Sequence, residues 1–481
     1  MDDRAPKSLG QPIVSRRDLL RWAGLMGAGA AAAPLIAACG GAAATQSASA
    51  AAAATAAAAS AAPSAAASAA AASAAASRAL NFTAWEFDPN DLKSIIDTWS
   101  KANNVPVNLT VLPGGTSYTP TLTTQFRGGA DIDLLYVFPY DAGNFIARGW
   151  TRDLRGLSGA DQMIADMYPN LRGYYQAADG TILGSPYFNA VHVLFYNQSH
   201  LQKLGLQPPQ TLQDVYDQSK KIKDAGINSS PYLAYWVKDF MEEYLNVYLV
   251  AEGVTMWDDK GNPVFQDDPK TLGVFEWWQS LYQDGLTTKT MLTDDPTKLS
   301  TLLGTGEATF FTLHHYFMPI IKGLKNAPEA ANIAIDYDRM PGASGKMFMM
   351  AAMVQMGSKA TGSAGDAAWS LMKYFGWKDA NGNMPAFEAW AKFAQLGAPY
   401  PAFWKDPAVV AAFSPNFDVP KLIDVFENKA VVQPTRTARW YAQWQATLGD
   451  RMQAMISGQA TPQATIDAIV ADVKTAQNSG L

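Results

Sequence analysis

The chain carries a single cysteine, Cys39, in 481 residues. That scarcity excludes disulfides, a cysteine zinc site and thiol catalysis from the folded part. Positive charge is also sparse: 37 Lys and Arg against 43 Asp and Glu leave a net charge of −6. No basic block is present that could follow a phosphate backbone, so nucleic acid is not expected as a partner. Hydrolase and nucleotide signatures are missing as well. There is no HExxH and no GxSxG, and Gly342-Ala343-Ser344-Gly345-Lys346 has the wrong spacing for a P-loop and lacks its following Ser or Thr.

What is present begins with an address. Ser15-Arg16-Arg17-Asp18-Leu19-Leu20 is a twin-arginine pattern running into the Ala/Gly-rich stretch from Trp22 to Ala38, so residues 1–38 read as a signal peptide that is removed. A membrane span is the competing reading, but the stretch is short for a bilayer and its Ala and Gly give little transfer energy. Leu35-Ile36-Ala37-Ala38-Cys39 resembles the bacterial lipobox, which implies acylation of Cys39 as the mature N-terminus. From residue 40 to 77 the chain is almost only Ala and Ser without charge, which cannot bury a core and reads as a tether. The expected location is the outer face of the cytoplasmic membrane, with a lipid anchor.

The remainder, from about Arg78, is long enough for two or three domains. Leu80–Trp85 is strand-like, and Asp88-Pro89 opens a helix with Leu92, Ile95, Ile96 and Trp99 at helical spacing. Residues 106–112 alternate as a second strand, a helix follows near 118–126, and 132–137 is an apolar strand. This order implies a mostly parallel α/β sheet. Further strands are expected at 191–196, 308–313, 333–336 and 347–356. Thr211 with Asp214 caps a helix, Val274, Trp277, Trp278 and Leu281 share another, and Thr461-Pro462 starts the last.

Several segments together resemble family 1 of the extracellular solute-binding proteins, the sugar-binding components of ABC importers of the maltose-binding type. They are Phe82-Thr83-Ala84-Trp85-Glu86-Phe87, Gly128-Gly129-Ala130-Asp131-Ile132-Asp133, Gly184-Ser185-Pro186-Tyr187-Phe188, Leu194-Phe195-Tyr196-Asn197, Gly304-Thr305-Gly306-Glu307-Ala308 and Gly458-Gln459-Ala460-Thr461-Pro462. Phe348-Met349-Met350 departs from the family's pattern. The resemblance implies a periplasmic-binding-protein-like fold of class II, two α/β lobes with a hinge and an interlobe ligand cleft. It implies a first lobe of residues 79–188 plus about 306–352 and a second of about 189–305 plus 353–481. Hinge crossings are expected near 188–192, 310–313 and 351–355. The implied partners are a small-molecule ligand, a sugar, and the permease subunits of an importer, with the protein itself a monomer without cofactor.

A sugar presents hydroxyls and an apolar C–H face, so its pocket needs carboxylates or amides beside aromatic plates. Trp85, Glu86 and Asp88 follow the first strand, where open α/β sheets place ligands, though Asp88 also suits helix capping. Phe138, Tyr140 and Asp141 end the central apolar strand, with capping the alternative for Asp141. Tyr187, Phe188 and Asn189 lie at the first crossing, where the aromatics also suit hinge packing. Tyr316 falls where the family places a stacking Trp. Arg436 and Trp440 stand at a late helix start, Arg436 suiting hydroxyls or an anion. Trp236 is a looser candidate from the second lobe. Adjacent His314 and His315 point to opposite faces with no acidic ligands nearby in sequence, so no metal is expected.

The expected function is thus sugar capture by closure of two lobes. A polyamine or other small organic solute is the alternative within binding proteins, and a secreted glycoside hydrolase the enzymatic one, since paired carboxylates near aromatics serve both.

Overall fold

A computed structural model describes residues 78–114 and 117–479; the expectations for the signal peptide, Cys39 and the tether fall outside the described residues. Its first unit is β1 (Leu80–Trp85), β2 (Val107–Leu112) and β3 (Leu134–Val137), with β1 parallel to both neighbours. The helix Pro89–Asn103 crosses from β1 to β2 and buries Leu92, Ile95, Ile96 and Trp99, the stripe that helical spacing dictates.

Two long strands dominate the core. In β4 (Ser185–Asn197) and β8 (Met347–Met356) every residue is buried. The remaining strands are β5 (Tyr232–Ala234), β6 (Phe310–His314), β7 (Ile333–Ile335) and β9 (Ala430–Val431). The order is β2-β1-β3-β8-β4-β6-β5, with β7 on β4 and β9 on β8. The sheet is mixed, not mostly parallel: β8 runs antiparallel to β3 and β4, and β4 antiparallel to β6 and β7. The reason is connectivity. The strand-helix alternation that makes parallel neighbours stops after β3, and β8 wedges in from far along the chain between β3 and β4.

β4 links two parts of the sheet. Residues from Ser185 to Val191 pair with β8, and from His192 to Tyr196 with β6. The change falls between Val191, opposite Met349, and His192, opposite His314. β6 and β7, expected in the first lobe, pair with the second half of β4, and β6 also with β5. The helix Gly362–Gly376, expected in the second lobe, packs back on the β1 side, where Phe375 meets Phe82 and Tyr187 edge-on or tilted at 6.0 and 4.7 Å. The partners of these segments are remote in sequence, so chain order alone does not show these pairings.

Candidate functional site

Register alone brings a set of strand ends to one junction. Val137, at the C-terminal end of β3, and Pro186 of β4 both stand opposite Met353 of β8. Thr83 of β1 is level with Leu135 of β3, so Trp85 arrives at the same height as Val137. From the other part of the sheet, β6 ends at His314 opposite His192, and β5 ends beside it. The segments that follow these ends therefore converge where β4 changes partners, as open sheets place ligands at strand carboxyl ends.

Aromatic rings fill the junction. Trp85 stacks on Tyr118 at 5.8 Å, meets Phe138 edge-on at 4.6 Å and reaches Phe240 at 6.4 Å. Phe138 stacks on Tyr140 at 5.1 Å. Phe87 packs on Phe188 at 6.3 Å and on Tyr316 at 5.9 Å, and Tyr316 lies flat on His314 at 5.3 Å. Such offset and edge contacts are the favoured geometries for ring quadrupoles. Trp85, Phe138, Tyr140, Tyr187, Phe188 and Tyr316 of the sequence candidates thus meet in one cluster.

The acids are placed with them. Asp88 has a left-handed backbone at φ 39° and makes no side-chain cap to the helix it precedes. Burial, reinforced by Asp91, raises its pKa to about 6. Asp141 is buried; its Oδ2 accepts a 2.7 Å hydrogen bond from Thr119 and its Oδ1 has no partner among the described residues. Burial pushes this carboxyl up to about 7 against the lowering effect of Thr119. Neither aspartate serves as a side-chain cap, the alternative that helix logic offered. Glu86 is held by the loop after β2, its Oε1 accepting from the Gly114 amide at 3.0 Å. Asn189 is buried; its Oδ1 accepts from the Tyr175 hydroxyl at 2.8 Å and its Nδ2 has no partner among the described residues.

Arg436 reaches the junction from the late segment. It is wholly buried, donates to Glu242 through Nε at 2.8 Å and Nη2 at 2.7 Å, and through Nη1 to the Tyr174 hydroxyl at 3.3 Å. Its guanidinium lies over Tyr140, Tyr174 and Phe348 at 5.2 to 5.7 Å. Burial opposes the charge, but the attraction of Glu242 and its neighbours outweighs it, so the pKa is raised well above the ordinary value.

Two candidates stand elsewhere. Trp236 is fully buried against Trp278 and donates to the Tyr248 hydroxyl at 3.2 Å. The ring contacts of Trp440 are with Trp257 and Tyr441, each at 5.6 Å.

Sequence reading missed Glu242, Glu243, Phe87, Phe240 and His192. A signal for the first two exists: Met241–Glu252 is a helix buried on every side up to Ala251, yet it carries two acids in its first turn. A helix apolar all round is buried, and acids in its first turn then demand partners.

The match to the family of bacterial extracellular solute-binding proteins covers residues 88–343, rather more than half of the chain. In fold, the chain is similar to the maltose-bound MalE3 of T. maritima, with a TM-score of 0.71 at 19% identity over 83% of this chain and 100% of the other. It is similar to a ribitol-complexed ABC transporter solute-binding protein of Agrobacterium radiobacter, with a TM-score of 0.69 at 18% identity over 83% and 98%. In sequence it resembles the sn-glycerol-3-phosphate-binding periplasmic protein of Brucella abortus, 35% identical over 72 residues, which are 14% of this chain and 17% of that protein. The counterpart in Agrobacterium fabrum is 28% identical over 165 residues, 30% of this chain and 36% of that one. These sequence matches span well under half of the curated relatives. Among the described residues no helix is long and apolar enough to cross a membrane. By the extent of the family match and the agreement in fold, the chain belongs to the bacterial extracellular solute-binding proteins.

Proposed function

We propose that this protein is the extracytoplasmic binding component of an ABC-type importer, and that its solute is a neutral sugar or polyol held between the two parts of the sheet. The observation that carries the substrate class is the pairing of Arg436. The cation at the junction is spent on Glu242, whereas Asp88 and the free oxygen of Asp141 remain beside aromatic faces. Carboxyl groups accept from hydroxyls and rings cover C–H faces; an anion would meet unpaired acids instead. The maltose and ribitol complexes of structurally similar proteins agree with this class.

The change of partners between Val191 and His192 suits a hinge, with closure of the two parts over the solute as the transport signal. The chain binds without turning its solute over, acts as a monomer, and is retained at the membrane through acylated Cys39.

A thermal-shift panel of maltose, ribitol, a polyamine and sn-glycerol 3-phosphate tests the reading. Stabilisation by a neutral sugar or polyol that is recovered unchanged is expected. Stabilisation by glycerol 3-phosphate alone would move the assignment to an anion, the second reading that the sequence relatives favour. A hydrolysed sugar would move it to an enzyme. Cys39→Ser should shift the protein from the membrane to the soluble fraction, and retention at the membrane would remove the acyl anchor.

A further inference from the structure

His192 and His314 are directly opposed across the antiparallel β4–β6 pair, their ring centroids 4.0 Å apart. Glu243, in the first turn of the helix Met241–Glu252, brings Oε2 to 3.2 Å from Nε2 of His314 and 3.5 Å from Nε2 of His192. The ligand atoms all lie within 4.8 Å of one another, and all three residues are buried. The arrangement escapes sequence reading because the acid comes from 71 positions before His314.

As a hydrogen-bonded group the cluster does not close. A neutral imidazole has one N–H and one lone pair to satisfy, and in His192, with no exposed surface, neither ring nitrogen has a hydrogen-bond partner among the described residues. An unpaired buried polar atom is costly, so two on one ring call for a further partner. Glu243 offers one carboxylate oxygen to two imidazoles, at 3.2 and 3.5 Å, both longer than a charge-assisted hydrogen bond.

We propose that His192, His314 and Glu243 form a binding site for a borderline divalent cation of the zinc type. Two imidazole nitrogens and a carboxylate oxygen suit Zn²⁺, with ligand distances of about 2.0–2.2 Å, while Ca²⁺ and Mg²⁺ prefer all-oxygen shells. The carboxylate oxygen lies 3.2 and 3.5 Å from the two imidazole nitrogens, and the three ligand atoms lie within 4.8 Å of one another, a span that one cation can bridge. Three protein ligands leave one position of a tetrahedron for water or a solute oxygen. The site ties β4, β6 and the helix at the place where β4 changes partners, and it stands whichever solute the protein takes.

The test is calorimetric titration of the purified, untagged, metal-stripped full chain with Zn²⁺, repeated with His192→Asn, His314→Asn and Glu243→Gln after circular dichroism has shown each to be folded. One equivalent is expected, with affinity falling in each variant by more than the about 10–100-fold that loss of an outer-shell partner costs. Absence of stoichiometric binding, or binding unchanged in the variants, would overturn the site. Should the variants not fold, Co²⁺ added to the unaltered chain decides. Intense visible ligand-field bands of low-coordinate cobalt, displaced by Zn²⁺, support the site, and the spectrum of hydrated Co²⁺ alone refutes it.

Discussion

Arg436 and Glu242 form a two-pronged pair in which neither side chain is more than 1% exposed. The hydroxyl of Tyr441 adds a 2.6 Å hydrogen bond to the same carboxylate. Removing one ion of such a pair strands the other in a medium that solvates it poorly. Arg436→Met should cost about 3–5 kcal/mol in urea unfolding, and adding Glu242→Leu should restore much of it. A loss below about 1 kcal/mol would mean that water reaches Glu242.

Asp141 gives a pH signature. Its folded pKa of about 7 lies above the ordinary 3.8, so between these values the folded state holds a proton that the unfolded chain releases. Stability through this group therefore falls as pH rises from about 4 to 7. Burial of His192 lowers its pKa and works oppositely below pH 6.5. The informative quantity is the difference between Asp141→Asn and the unaltered protein, which should grow in the variant's favour by about 2–4 kcal/mol from pH 5 to pH 8. A flat difference would show that Asp141 is ionised when folded.

Tyr316 and Trp440 should separate in binding. Tyr316 packs among Phe87, Phe188 and His314 at the junction, so Tyr316→Ala is expected to weaken sugar binding at least tenfold, about 1.4 kcal/mol. Trp440 packs on Trp257 and Tyr441, so Trp440→Ala should lower the melting temperature while affinity stays within about twofold. Calorimetry on both variants checks this, and the reverse ranking would relocate the pocket.

Gly143 controls how close the helix Pro139–Ala147 comes to the Arg436 segment. A Cβ there would stand 2.0 Å from the carbonyl oxygen of Thr437, a rigid backbone atom. Gly143→Ala should therefore destabilise by about 1–3 kcal/mol through overpacking, read by thermal unfolding. Stability unchanged within about 0.5 kcal/mol would show that the helix can retreat.

Much of the molecule follows from sequence alone. The apolar spacing of Leu92, Ile95, Ile96 and Trp99 dictates one helix face, the capping box of Thr211 and Asp214 starts another, and the continuous apolar runs at 134–137 and 347–356 are buried strands. These are local matters, set by periodicity and by the few residues around each terminus. The aromatic-acid pairs after β1 and β3 were legible for the same reason, since polar groups just past a strand end mark its carboxyl edge.

Only the tertiary structure decided what those residues face. β8 enters between β3 and β4, β6 joins the second half of β4, and Glu242 meets an arginine 194 positions away. Such pairings depend on which apolar surfaces and buried charges find one another across the whole chain, and no short window of sequence contains both partners. The same holds for the residue types themselves. Arg436 reads alone as a partner for hydroxyls or an anion, and the fold spends it on Glu242; His192 reads as one more residue of an apolar strand, and the fold sets it against His314 and Glu243.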